Sequence, residues 1–394
     1  MATTSRDRFR GKTATFLAGC ALLVLAVLLG ASSVSAQSDV PPWWPIQVKS
    51  YYGVYDPSQK KPGQAATSLS RPRLEEWMPP LAPAGRYTLG VCVPHLKDPY
   101  WIAATYGIID EAKRLGVGIR LMEAGSYHGM QRQIEHLRHH LVEGVDGIIL
   151  SAISYAGEDD IISEIRAREV PVVELINDVN APDISAKALV SFHEMGYLTG
   201  EYVAEHAEKA GLDEVRVAFF PGPQGSGWSP ETLDGFMEAL ELFPGRVNMA
   251  AVAWGDTGKE EQLDLLRRSL AETGPVDYLV GNAVAAEVAP GLLRELGMED
   301  RTTVIATYIM PSLYDLIRSG AVQAAPSDLT VFQGRMAVDM MVRLLKGEKA
   351  GRDFPFRSGP FIPMVTTGNI ASYPFEGLFG PRDFKPVFEL EPRE

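Results

Sequence analysis

Aromatic residues and carboxylates recur in this sequence just after short apolar runs, a pairing suited to holding a small ligand. Lys97-Asp98-Pro99-Tyr100-Trp101 sets a carboxylate beside two large rings, and Glu123-Ala124-Gly125-Ser126-Tyr127 offers a third ring. Phe192, Trp228, Asn282, Tyr308 and Asp328 complete the candidate ligand-binding residues. Aromatic faces carry a negative quadrupole, so several around one point can hold a substituted ammonium, each contact worth roughly 0.5–2 kcal/mol. A carboxylate such as Asp98 adds Coulomb attraction. The same residues suit a sugar, whose apolar face stacks on a ring while carboxylates and amides hold its hydroxyls. Residue chemistry alone does not separate the two. Asp98 also has a plainer role, because Asp followed by Pro at the first helical position is a helix N-cap.

Other motifs carry less. Gly222-Pro223-Gln224-Gly225-Ser226-Gly227 falls where a phosphate loop would sit, but it matches neither nucleotide fingerprint, and its proline removes a donor amide. Glu135, His136, His139 and His140 have spacings that can hold a metal on one helix face; a solvated polar face is the plainer reading. No nucleophile elbow, zinc-enzyme motif or acid–base carboxylate pair stands out, so neither catalytic residues nor a cofactor is expected.

The elements that must position these residues follow βαβ grammar from Gly85 onward. Strands are expected near 87–94, 118–123, 147–151 and 170–175, with helices near 100–114, 130–143 and 159–168. In the second of these helices Met130, Ile134, Leu137 and Leu141 form an apolar stripe, and His136, Arg138, His139 and His140 lie off it. The Asn/Asp/Pro-rich segment 177–183 introduces a second series, with strands near 215–220, 247–253, 278–281 and 304–306 and helices near 195–210, 230–240, 260–273 and 285–296. Two such series make an α/β protein of two lobes, each a mainly parallel sheet with helices on both faces. Ligands of such sheets sit outside the carboxyl ends of the strands, where the candidate residues fall.

The ends set the compartment. Arg6, Arg8, Arg10 and Lys12 precede an apolar run that closes on Ser33-Val34-Ser35-Ala36, a secretory signal peptide (1–36) with cleavage expected after Ala36 and export to the periplasm. A lipoprotein box at Leu17-Ala18-Gly19-Cys20 and an uncleaved anchor are the weaker alternatives. The formal net charge of −13 becomes more negative once the basic leader is removed, which excludes nucleic acid as a partner and leaves no direct membrane insertion. Cys92 is then the sole cysteine, and its valine neighbours suggest a buried structural thiol. Residues 37–85 read as an aromatic, Pro-rich arm packed on the body without sustained strand periodicity. Residues 373–394 are a tail whose Phe375, Phe379, Phe384 and Phe388 either clamp the second lobe or form a docking surface; the clamp is preferred.

At these motifs the chain resembles the TorT family, within the type I periplasmic binding protein superfamily. The resemblance runs from about Gly85 to Asn369, through 96–101, 123–127, 173–177, Met195-Gly196-Tyr197, Pro221-Gly222-Pro223, 281–287 and Tyr308. It implies a cleft in which Asp98, Tyr100, Trp101 and Tyr308 contact trimethylamine N-oxide or a similar small methylated amine. It implies docking on the periplasmic sensor domain of a TorS-like hybrid histidine kinase. It also implies lobes joined by three crossing strands, with 86–187 plus 309–351 in lobe 1 and 188–308 plus 352–372 in lobe 2. Phe192 stands where the family's second-lobe cage tryptophan is expected; it keeps a ring face but lacks the indole N–H. The rival function is the substrate-binding component of an ABC importer for a sugar or polyol.

Overall fold

The computed structural model describes residues 44–393 apart from Pro62 and Pro83. The expected signal peptide and its cleavage after Ala36 lie outside the described residues, among which no helix is long and apolar enough to cross a membrane.

Two strands, β1 (Ile46–Tyr51) and β2 (Arg73–Trp77), precede the repeating pattern. The first series runs β3 (Thr88–Val93), α1 (Pro99–Leu115), β4 (Gly118–Glu123), α2 (Met130–Glu143), β5 (Gly147–Leu150), α3 (Asp159–Arg166), β6 (Val172–Leu175) and β7 (Ala186–Ala188). The second runs α4 (Phe192–Lys209), β8 (Glu214–Phe220), α5 (Ser229–Leu240), β9 (Arg246–Val252), α6 (Lys259–Thr273), β10 (Tyr278–Gly281), α7 (Ala283–Leu296), β11 (Thr303–Ala306), α8 (Leu313–Ser319) and β12 (Ala324–Pro326). The chain ends with α9 (Thr330–Leu345), β13 (Arg357–Pro360), β14 (Met364–Thr366), α10 (Phe375–Phe379) and β15 (Glu389–Leu390).

These strands form a nine-stranded sheet, β15-β4-β3-β5-β6-β7-β13-β1-β2, and a six-stranded sheet, β14-β12-β11-β10-β8-β9. Strands β3 to β7 of the first sheet and β8 to β12 of the second are parallel, and β5, β6 and β10 are buried at every residue because helices cover both faces. In each sheet the strand order reverses at the first strand of its series, β3 or β8, so the loops leaving that strand and its neighbour diverge and open a crevice. Those two crevices face one another across the lobes.

The chain crosses between sheets after β7, after β12, after β13 and, with the tail, after β14. The expected return to the first lobe at 309 is thus too early, because β12 pairs with β11 and β14 in the second sheet. The expected crossing at 352 is early as well, since β13 still pairs with β7 and β1 in the first. Strands this short carry too little periodicity to be assigned from sequence. The arm also departs from expectation. Its rings do pack on the body, with Tyr55 stacked on Phe356 at 4.7 Å and Trp44 edge-on to Phe332 at 5.4 Å. Yet β1 extends the first sheet antiparallel to β13, and β2 pairs antiparallel with β1 at its edge. The tail does not clamp one lobe: Phe375 and Phe379 pack on Tyr314 of α8, Phe384 packs on Tyr106 of α1, and β15 pairs with β4. On α2 the buried face is Gln133, Leu137 and His140, with the His140 ring against Gly90, so His140 is not on the solvated side.

Helices α4 and α5 approach closely because Gly235 leaves room for the His193 carbonyl, which would lie 1.9 Å from any Cβ there. That contact fixes Phe192, at the head of α4, beside Trp228, which precedes α5.

Candidate functional site

Seven of the nine candidate residues meet around one cleft between the lobes: Asp98, Tyr100, Trp101, Tyr127, Phe192, Trp228 and Tyr308. Ile176, Asn177 and Thr257 complete a space of about 290 Å³. Asp98, Tyr100 and Trp101 stand where β3 enters α1, Tyr127 follows β4, Trp228 follows β8 and Tyr308 follows β11. The rings meet mostly edge to face, the preferred quadrupole geometry: Tyr100 to Trp101 at 5.4 Å, Tyr100 to Tyr308 at 5.2 Å and Trp228 to Tyr308 at 5.7 Å. Phe192 lies 5.9 Å from Trp228. Gly222, at φ 120°, sits under the Trp228 ring, where a Cβ would lie 2.5 Å from it.

Three of these rings have side-chain partners at their polar tips. The Tyr100 hydroxyl donates to Asp328 Oδ2 at 2.5 Å. The Tyr127 hydroxyl accepts from Asn177 Nδ2 at 3.0 Å and from Trp228 Nε1 at 3.2 Å, the latter across the lobes. Burial pushes the Tyr100, Tyr127 and Tyr308 phenols up, so all three keep their protons at neutral pH.

Asp98 caps α1, its Oδ1 accepting from the amides of Tyr100 (3.0 Å) and Trp101 (3.4 Å), and it also lines the cleft. Both sequence readings of Asp98 therefore coexist. Burial raises its carboxyl to about 6 against the pull of those two amides, so it is mostly ionised near neutrality, in a dry setting. His95 Nδ1 is 3.8 Å from its Oδ2 and has no hydrogen-bond partner among the described residues. Burial, together with Lys97, pushes that imidazole down to about 3, so it stays neutral.

Two candidates stand behind the cleft rather than in it. Asn282 caps α7, its Oδ1 accepting from Val284 and Ala285 and its Nδ2 donating to the Phe220 carbonyl. Asp328 is fully buried and accepts from Tyr100, Thr330 and Gln333, positioning the Tyr100 ring. Both follow a strand, and in each case the short side chain turns to the backbone or to a buried neighbour.

Sequence reasoning missed Ile176, Asn177 and Thr257. Asn177 N–H donates to the Leu175 carbonyl at 2.7 Å around Ile176 at φ 65°, a γ-turn that is strained for a β-branched residue, by about 1–3 kcal/mol. This turn aims Asn177 at Tyr127 and the Ala152 carbonyl. No local signal announces it. Thr257 was within reach of the after-the-strand rule, since it follows β9; its hydroxyl lies 3.3 Å from His95 Nε2.

This architecture, two α/β lobes closing on a ring-lined cleft, is that of a binding protein. A family model described as periplasmic binding protein domain matches residues 89–349, and the chain belongs to that family, in its type I class. Within it the kinship is with TorT. Periplasmic protein TorT of Escherichia coli K12 is 31% identical over 309 residues, covering 78% of this chain and 86% of that protein. The TorS sensor domain–TorT complex in the presence of TMAO contains a chain 28% identical at a TM-score of 0.68, covering 77% of this chain and 99% of that one. An ABC transporter solute binding protein from Bradyrhizobium sp. BTAi1, with bound bis-tris, is 38% identical at a TM-score of 0.73, covering 89% of this chain and 99% of that one.

Proposed function

We propose that this protein is a periplasmic ligand sensor. It captures trimethylamine N-oxide or a similar small methylated amine between its lobes, and presents the resulting closed surface to the periplasmic sensor domain of a TorS-like hybrid histidine kinase. The observation that carries this reading is the convergence of six rings, those of Tyr100, Trp101, Tyr127, Phe192, Trp228 and Tyr308, on one cleft that the Asp98 carboxylate also lines. Such a lining rewards methyl groups on a positively charged nitrogen. The kinship with TorT supports the partner as well as the ligand class.

The importer reading remains the second, and the Bradyrhizobium relative favours it by its description as a transporter component. Bis-tris is a tertiary amine with hydroxylated arms, compatible with an amine site and with a polyol site alike. A ligand shifts the lobes only by its differential affinity for the closed state. The sensor reading therefore predicts that the affinity of residues 37–394 for the sensor domain, measured by surface plasmon resonance, changes on adding the N-oxide. Identical binding with and without it counts against the sensor role.

A further inference from the structure

Outside the ring-lined cleft, a wider recess of about 930 Å³ opens between the lobes, lined in part by His128, Trp254, Asp256 and Glu261. His128 belongs to the loop between β4 and α2, on the first lobe; Asp256 lies between β9 and α6 and Glu261 in the first turn of α6, on the second. Donor atoms of these three side chains all lie within 4.8 Å of one another.

We propose that His128, Asp256 and Glu261 form a divalent-metal site that clasps the two lobes at the mouth of the cleft, taking a borderline first-row ion such as Zn(II). One imidazole and two carboxylates are a donor set this ion accepts, with water in the remaining position. Two donors on one tetrahedral zinc stand ~3.4 Å apart, so a pair as far apart as 4.8 Å must close by about 1.4 Å. His128 and Glu261 are exposed and can turn to do so. The recess leaves room for the ion to enter with its water.

Lys97 holds the place of a cation at present, its Nζ 2.7 Å from Asp256 Oδ2. With its side chain 31% exposed, it can swing into solvent and yield that oxygen to the metal. Glu261 Oε1 accepts the Asp256 amide at 2.7 Å, which ties the two second-lobe ligands together before any ion arrives. Because the ligands come from both lobes, the ion binds the closed arrangement better than the open one. Metal and cleft ligand must then raise each other's affinity by the same factor. The clasp rests on the reading that the lobes open and close, and is independent of which small molecule the cleft takes.

The test is calorimetric titration of chelator-treated residues 37–394 with zinc chloride, without any organic ligand. One ion per chain is expected, bound at least tenfold more weakly by His128→Ala and by Glu261→Gln, and more tightly by Lys97→Met. The Gln variant keeps the acceptor for the Asp256 amide, so its loss reports charge and not folding. No saturable binding, or binding indifferent to both substitutions, overturns the proposal. So does binding lost only in His139→Ala, which would move the ion to α2.

Discussion

The lobes meet along two kinds of surface, and they are built differently. At the cleft the joins are rings, a 3.2 Å bond from Trp228 to Tyr127, a 3.3 Å approach of Thr257 to His95 and a partly exposed ion pair, Lys97–Asp256. On the arm's side, Asp178 and Glu174 of the first lobe are enclosed with Lys60 and Lys187, whose side chains are 1% exposed. Lys187 bonds Glu174 at 2.7 Å, Asp178 at 3.0 Å and the Val179 carbonyl at 2.6 Å, while Lys60, reaching in from the arm, pairs with Asp178. Burial alone would raise the Asp178 carboxyl; the two ammonium groups overturn this and hold it low. This cluster abuts the second lobe, where Gly227 leaves room for the Asp178 carbonyl and Glu231 touches Gly63 of the arm. Buried lysine–carboxylate pairs fix one side, while ring contacts and a partly exposed ion pair that water can replace leave the other free to open.

The largest effect that would break this contrast is at Lys187. Lys187→Met leaves buried Asp178 to Lys60 and removes the ammonium that pairs with buried Glu174, and should cost about 3–5 kcal/mol in urea unfolding. A loss under about 1 kcal/mol would mean that the arm side is no firmer than the cleft.

Asp98→Asn should act oppositely on stability and on binding. A carboxyl raised to about 6 binds its proton more tightly in the folded chain than in the unfolded one, so its contribution to stability falls as pH rises from about 4 through 6. At pH 7 the Asn variant, still able to cap α1, should be more stable without ligand by on the order of 2 kcal/mol in thermal unfolding. It should nonetheless bind a methylated amine poorly. The parent's affinity should fall as pH drops through about 6, and the variant's should stay flat.

Trp101→Leu keeps apolar volume and removes a ring face. It should weaken binding of the N-oxide by roughly 2- to 30-fold in calorimetry, the range of one cation–π contact. The smallest effect is expected at the mouth: Lys97→Met, removing a partly exposed ion pair, should change ligand affinity by about 1 kcal/mol or less, and less still in high salt. A larger effect would show that the mouth contributes as much as the rings.

The repeating core of this architecture was legible because β3, β4, β5, β8 and β10 are short apolar runs between amphipathic helices. The rule that ligands sit past the carboxyl ends of strands then led to seven residues of the cleft. Where a tertiary partner sets the conformation, the sequence was silent. β1 is a strand because β13 pairs with it, although its alternating Val48 and Ser50 lay between proline-rich stretches. β12 and β13 are too short to show a period. Ile176 adopts its positive φ because the chain must turn Asn177 toward Tyr127, and nothing in the residue type suggests it. His140 reads as polar by composition, yet it is buried because Gly90 makes space for a ring.

Calorimetric titration of residues 37–394 with trimethylamine N-oxide, with trimethylamine, glycine betaine and ribose as comparisons, tests the central claim most directly. Saturable binding that prefers the N-oxide and is lost in Trp101→Ala is the predicted result. Binding to ribose with none to the methylated amines would contradict it and identify the cleft as a sugar site.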